Sequence, residues 1–421
     1  MNERSFSVNG ISVYSLTNPN LRSFCLSLYV RAGSIFEDLS NNGISHLFEH
    51  VVFRNIKNKY ENFYELLAMH GLCFQGSTYK KFVSFTIDGP QHEFDFAIEI
   101  LCGLFDEIKL TSHDFNNEKG RIKAEIREKD RRSSLDFYFD SIVWKNSEVE
   151  KIVLGYCKTV DRVSVKKINE FRQKVLSAGN CFVYATGNIS DKNLDALNKK
   201  ISELDISQSN PGFTNTVTVN NEFFHREKKI WIKNNYWHYI QIGFDVDCSK
   251  YPGGVYDLLY ALLFNGDKAL VYNYLSEDNP IIYSYDSTFE QYDNVGNINF
   301  GFEVDRNKIE DVFKTVVELL NAAKDGRFNF EANLNYEMFN WELDLDNPDN
   351  LNWNMAYYNH ILKTQPIDYS DEFYGRFRVT KEQIIDAAKY IFRRCNMTVA
   401  VKGDRKKINA EAIEKILELL D

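Results

Sequence analysis

Residues 163–188, VSVKKINEFRQKVLSAGNCFVYATGN, align without a gap on residues 379–404, VTKEQIIDAAKYIFRRCNMTVAVKGD. Val163 falls on Val379, Ile168 on Ile384, Asn180 on Asn396 and Gly187 on Gly403. Each copy opens on a hydroxyl residue suited to a helix N-cap (Ser164 or Thr380), continues through helical spacing, and passes into a β-rich run closed by glycine. A helix–strand unit repeated half a chain apart restricts the architecture to a tandem of two related α+β halves. With 421 residues, 44% of them hydrophobic, the chain can bury a core in each half. The polar stretch 206–225 reads as the linker between an N-terminal half, 1–205, and a C-terminal half, 226–421.

The halves differ in chemistry. Residues 43–55, GISHLFEHVVFRN, set His46 and His50 four positions apart with Glu49 between them. On a helix the two imidazoles share one face, one turn apart, and can grip one metal ion with Glu49 beside it. The H-x-x-E-H order is one associated with zinc-assisted peptide hydrolysis. Asn42 or Ser45 is placed to cap this helix. A charged helix from about residue 113 carries Glu118 and Glu125, seven apart and therefore on one face. Taken alone, these carboxylates read by default as ion-pair partners of Lys119, Arg121, Lys129 or Arg132. The C-terminal half has no such motif, so His225, His238 and His360 are read as structural.

Between the two charged segments, residues 71–77 lead into a strand over 78–87 closed by Gly89-Pro90, and residues 91–110 have amphipathic helical spacing. The net charge of −10, without a basic stripe, excludes nucleic acid as the expected partner. The N-terminus lacks a basic segment followed by an apolar one, and no apolar run is long enough to span a bilayer. A bacterial cytoplasmic protein without a membrane partner is the expectation. Seven scattered cysteines without a C-x-x-C pair are read as reduced, mostly buried thiols.

These residues together resemble the pitrilysin/insulinase family of zinc metallopeptidases. In length the chain is similar to the single-module branch that includes the mitochondrial processing peptidase and its bacterial relatives. The resemblance rests on Gly43-x-x-His46-x-x-Glu49-His50-x-x-Phe53, the stretch from Gly71 to Phe85, Glu118 with Glu125-Ile126, and the repeated half-endings. It implies two homologous halves, each a mostly antiparallel sheet packed against helices. By the same resemblance His46, His50 and Glu125 are ligands of one Zn2+, Glu49 is the general base, and Glu118 is an acidic residue near the site. Gln75, Gly76 and Thr78 fall where the family has Asn-Ala-x-Thr on an edge strand, which can hold an extended peptide as an added strand. Tyr283 fits a family tyrosine that reaches the substrate carbonyl, but Ser276 stands where that tyrosine's partner arginine is expected.

The implied activity is zinc-dependent endopeptidase cleavage of short or unfolded peptides in an enclosed chamber, with leader removal as one use. Ser276 suggests the zinc-bearing subunit of a heterodimer whose homologous sister chain supplies the arginine, or else a homodimer. The alternative is a non-catalytic or scaffold subunit of a processing-peptidase-like complex.

Overall fold

In the computed structural model, residues 3–132, 134–209, 211–213, 217, 228–233, 238–305, 307–363 and 378–420 are described. The linker expected over 206–225 lies largely outside them. The chain forms two units: Met1–Arg132, Glu148–Asn215 and Leu343–Ser370 make the first, and Ser133–Ser147, Thr216–Glu342 and Asp371–Asp421 the second.

The first unit holds a six-stranded sheet of Arg4–Val8 (β1), Ile11–Thr17 (β2), Ser23–Val30 (β3), Cys73–Thr78 (β4), Val83–Pro90 (β5) and Cys181–Gly187 (β6), in the order β1-β2-β6-β3-β5-β4. Only β2 and β6 run parallel. The central strands are apolar on both faces: β6 is buried at every position, and β3 at every position after Ser23. Such strands need cover on both sides. One face packs on the unit's own helices, among them Ile44–Lys59 and Phe94–Gly103, through Leu47, Phe48, Val51, Ala97 and Leu101. The helix Pro348–Met355, late in the sequence, packs on β3 and β6. There Asn352 accepts from Tyr29 Oη at 2.9 Å and donates to the Tyr184 carbonyl at 3.0 Å, and Thr186 Oγ1 donates to the Pro348 carbonyl at 2.6 Å.

The second unit holds a five-stranded sheet of Lys228–Lys233 (β7), His238–Asp247 (β8), Tyr285–Tyr292 (β9), Val295–Val304 (β10) and Met397–Gly403 (β11), in the order β7-β11-β8-β10-β9. Only β7 and β11 run parallel. Its core joins Ile240, Phe244, Phe300, Leu259, Phe313 and Ile391. The helix Ser134–Val143 packs on β8 and β11. The fold is therefore α+β, with two mixed sheets packed against helices. Each unit includes one piece from the other half of the sequence, a departure from contiguous halves.

The repeat is visible atom by atom. The helices Val165–Val175 and Lys381–Ile391 occupy matching positions, each capped by its hydroxyl, with Ser164 accepting from the Lys167 amide and Thr380 from the Gln383 amide. Asn180 donates to the carbonyls of Val175 and Arg31, and Asn396 to those of Ile391 and Asp245. In both units this buried amide ties the helix end to a neighbouring strand.

Candidate functional site

The helix Ile44–Lys59 begins at Gly43, whose φ of 95° is in the left-handed region. A Cβ there would lie 2.8 Å from the Leu154 carbonyl oxygen, so only glycine fits. The cap is not the expected Asn42 or Ser45. The buried Glu37 carboxylate accepts from the backbone amides of Gly43 and Ser45 at 2.7 and 2.8 Å and from the Asn42 side chain at 2.8 Å, while Ser45 Oγ accepts from the Gly33 amide. One carboxylate satisfies two orphan amides and opposes the positive helix end, which a single hydroxyl does less well.

With Leu47, Phe48, Val51 and Ile56 turned to the core, helical period leaves His46, Glu49 and His50 toward the other side. The helix Ser112–Arg132 packs alongside and brings up its carboxylates. Glu125 Oε2 lies 3.6 Å from His46 Nε2 and 3.9 Å from His50 Nε2. One ligand atom from each of the three lies within 4.8 Å of the others. Ligand atoms about 2.1 Å from a shared zinc stand roughly 3–3.5 Å apart at tetrahedral angles, so this two-nitrogen, one-oxygen set fits zinc with little adjustment.

Glu118 is buried and supports the set from behind. Its Oε2 is 3.6 Å from His50 Nδ1, the ring nitrogen other than the one facing Glu125, and its Oε1 is 3.3 Å from Arg121 and 3.9 Å from Arg54. Arg54 is fixed in turn by Asp114 at 2.6 Å. Burial works against a charged His50, but Glu118, Glu49 and Glu125 outweigh it and hold its pKa above the usual histidine value.

Glu49 lies 4.0 Å from His46 Nε2 and accepts a hydrogen bond from Thr78 Oγ1 at 3.1 Å. Burial raises its pKa, against the lowering effects of His50 and Thr78. Gly76 makes room for it, since a Cβ there would sit 2.7 Å from Glu49 Oε1. β4 is the edge strand of its sheet. Phe74, stacked on Phe53 at 4.6 Å, Gly76 and Thr78 take the face toward the helix. Gln75, at the alternate position, has its side chain on the reverse face, where its amide contacts Cys73 Sγ.

Tyr283 and Ser276 belong to the second unit, where Tyr283 is 98% exposed. His238 is buried within β8, and His360 stacks on Tyr14 at 3.7 Å with Nε2 3.1 Å from Glu3. His225 lies outside the described residues. Of the seven cysteines, Cys25, Cys181 and Cys248 are buried, fewer than expected. Sequence reasoning missed Arg54, although its place one turn after His50 on the same face was a usable signal. It also missed the residues that Pro348–Met355 brings behind β4.

Residues 12–155 match the family described as insulinase (peptidase family M16), and residues 162–332 match the peptidase M16 inactive domain. A zinc protease of Bacillus subtilis is 21% identical over 324 residues, covering 75% of this chain and 77% of that protein. The mitochondrial-processing peptidase subunit beta of Saccharomyces cerevisiae is 22% identical over 190 residues, 44% of this chain and 41% of that one. Among solved structures, a protease from Helicobacter pylori has the same fold, with a TM-score of 0.81 at 18% identity over 96% of this chain and 99% of the other. Among the described residues, no helix is long and apolar enough to cross a membrane.

Proposed function

Because this chain belongs to the insulinase (M16) family of peptidases, we propose that it is a zinc-dependent endopeptidase acting on short or unfolded peptides. The observation that carries the reading is the convergence of His46, His50 and Glu125 with Glu49 alongside. His46, His50 and Glu125 would hold the zinc ion, which when bound would supply polarisation of the scissile carbonyl and a lowered pKa for a bound water. Glu49 takes the proton of the attacking water at its carboxylate and returns it to the leaving amine. Thr78 and Gly76 fix where that carboxylate stands. Glu118 orients the His50 ring through Nδ1, which leaves Nε2 as the nitrogen that would ligate the metal. The substrate adds along β4 as an extended strand, so its backbone is gripped largely without regard to sequence.

Ser276, in place of an arginine, supports a dimeric enzyme in which this is the zinc-bearing subunit and a homologous chain supplies the missing arginine. A relative bearing the name of a peptidase subunit is in keeping with that. Removal of a leader from a short precursor suits such an enzyme. The same Ser276 favours the second reading, a scaffold subunit with an idle zinc site. Hydrolysis of a quenched-fluorescence peptide panel by the zinc-loaded chain, alone and with its sister chain, separates the two. The enzyme reading expects slow cleavage alone and a rise of about a hundredfold with the partner, the usual worth of an oxyanion donor. No cleavage under either condition would favour the scaffold.

A further inference from the structure

The Ile44–Lys59 helix turns a polar row to the Ser112–Arg132 helix. His46, His50, Arg54 and Asn58 recur at every fourth residue and so lie one above the other. Rising numbers on this helix meet falling numbers on its neighbour: His46 stands 3.6 Å from Glu125, His50 3.6 Å from Glu118, Arg54 2.6 Å from Asp114 and Asn58 3.4 Å from Asp114. The proposed reaction uses the first two rungs of this ladder and leaves the last two without a task.

Arg54 joins the two sets. Its Nη1 is 3.9 Å from Glu118 Oε1 while its Nη2 pairs with Asp114 Oδ1. Asp114 is itself fixed, accepting from Thr111 Oγ1 at 2.7 Å and donating its amide to the same oxygen at 3.1 Å. A guanidinium 19% exposed, tied at one prong to a carboxylate anchored at the start of the neighbouring helix, has little freedom left. Glu118 is 2% exposed, and its Oε1 accepts no hydrogen bond among the described residues. A carboxylate withdrawn from water in that way needs a cation beside it. Arg121 is nearer, at 3.3 Å, but 60% exposed, so water and salt screen its charge. Of the two, Arg54 is the better anchored and the less screened.

We propose that Arg54 is a positioning residue of the metal site: it pins the outer oxygen of Glu118, so that the inner oxygen stays at Nδ1 of His50 and Nε2 is left for the ion. The inference rests on the proposed zinc site and extends it to a residue that touches neither metal nor substrate. A carboxylate held at Nδ1 favours the imidazole with its proton there and its lone pair on Nε2. Without the guanidinium, Glu118 is free to turn away and the His50 ring loses its orientation.

Zinc affinity reads this without any peptide. Competition with a chromogenic chelator at one pH should show Arg54→Met binding zinc about tenfold more weakly than wild type, the lower end of the loss usual for residues that orient a ligand. Arg54→Lys keeps the charge without the fork and should recover part of the loss, while Arg121→Met should lose less than Arg54→Met. The decisive comparison puts Arg54→Met into the Glu118→Gln chain, where it should weaken zinc binding no further, since the group it positions is gone. Visible spectra of the cobalt-loaded proteins should change with either substitution and no further with both. Full additivity of the two losses, or wild-type affinity in Arg54→Met, would overturn the assignment. Should Arg54→Met fail to fold, Asp114→Asn, which loosens the arginine, takes its place in the same comparison. A zinc affinity that depends on Arg54 in a chain that never cleaves peptide would sink the peptidase reading and leave this one standing. Cleavage together with a zinc affinity indifferent to Arg54 would do the reverse.

Discussion

Thr78→Val removes one hydroxyl and little else. Valine has nearly the shape of threonine and suits a strand, so the pairing of position 78 with Val83 should persist. What is lost is the 3.1 Å hydrogen bond to Glu49 Oε2. A hydrogen bond to a charged group is worth about 1.5–3 kcal/mol, and Glu49 is largely withdrawn from water. At about 1.4 kcal/mol per decade of rate, that is about tenfold to a hundredfold in kcat when the loss falls on the positioning of the base. The described hydrogen bond of this hydroxyl runs to Glu49 and to none of His46, His50 or Glu125, so zinc content and KM should stay at wild-type values. Thr78→Ser keeps a hydroxyl and should recover most of the rate. Steady-state kinetics on one quenched peptide, with metal analysis of each protein, makes the comparison. A valine variant with wild-type kcat, a serine variant as slow as valine, or loss of zinc from either would refute the assignment of Thr78 as the residue that positions Glu49.

Glu118→Gln should weaken zinc binding about tenfold to a hundredfold by loosening the His50 ring, read by competition with a chromogenic chelator. Asn180→Ala and Asn396→Ala each remove two side-chain hydrogen bonds to carbonyls and should cost about 1–3 kcal/mol apiece in urea unfolding, with similar values because the contacts are duplicated. Burial, with the charge of Asp349 adding to it, raises Asp88 from the usual 3.8 to about 6. The folded chain therefore takes up this proton first as pH falls: the stabilisation is present below the unfolded pKa and lost as pH rises through about 6. Asp88→Asn should remove that slope from melting temperatures recorded across the acid range, and leave the protein more stable than wild type above it.

The repeat was legible because it is local: residues 163–188 carry cap, helix and strand within one stretch, and so do residues 379–404. The positions of His46, Glu49 and His50 were legible for the same reason, as helical period alone puts them on one face. From its own segment Glu125 could be placed on a helix but not beside the imidazoles, because a carboxylate in so charged a segment has many available partners; only the family resemblance put it there. The Glu37 cap was hidden because a hydroxyl or amide nearer the helix start satisfied the usual pattern. Least legible was the cover on the far face of the first sheet. The double-sided burial of β3 demands a partner, yet nothing in PDNLNWNM, polar at half its positions, says that Asn352 will meet Tyr29 more than three hundred residues away. Long-range packing of this kind decides the composition of each unit.

In the proposed function His46, His50 and Glu125 hold one zinc ion for which Glu49 supplies the base. Zinc stoichiometry and peptide hydrolysis measured side by side on wild-type, Glu49→Gln and Glu125→Gln proteins, with the sister chain present, test it most directly. One zinc per chain and cleavage are expected in the wild type, one zinc without cleavage for Glu49→Gln, and loss of both for Glu125→Gln. Wild-type hydrolysis by Glu49→Gln, or full zinc occupancy and activity in Glu125→Gln, would contradict it.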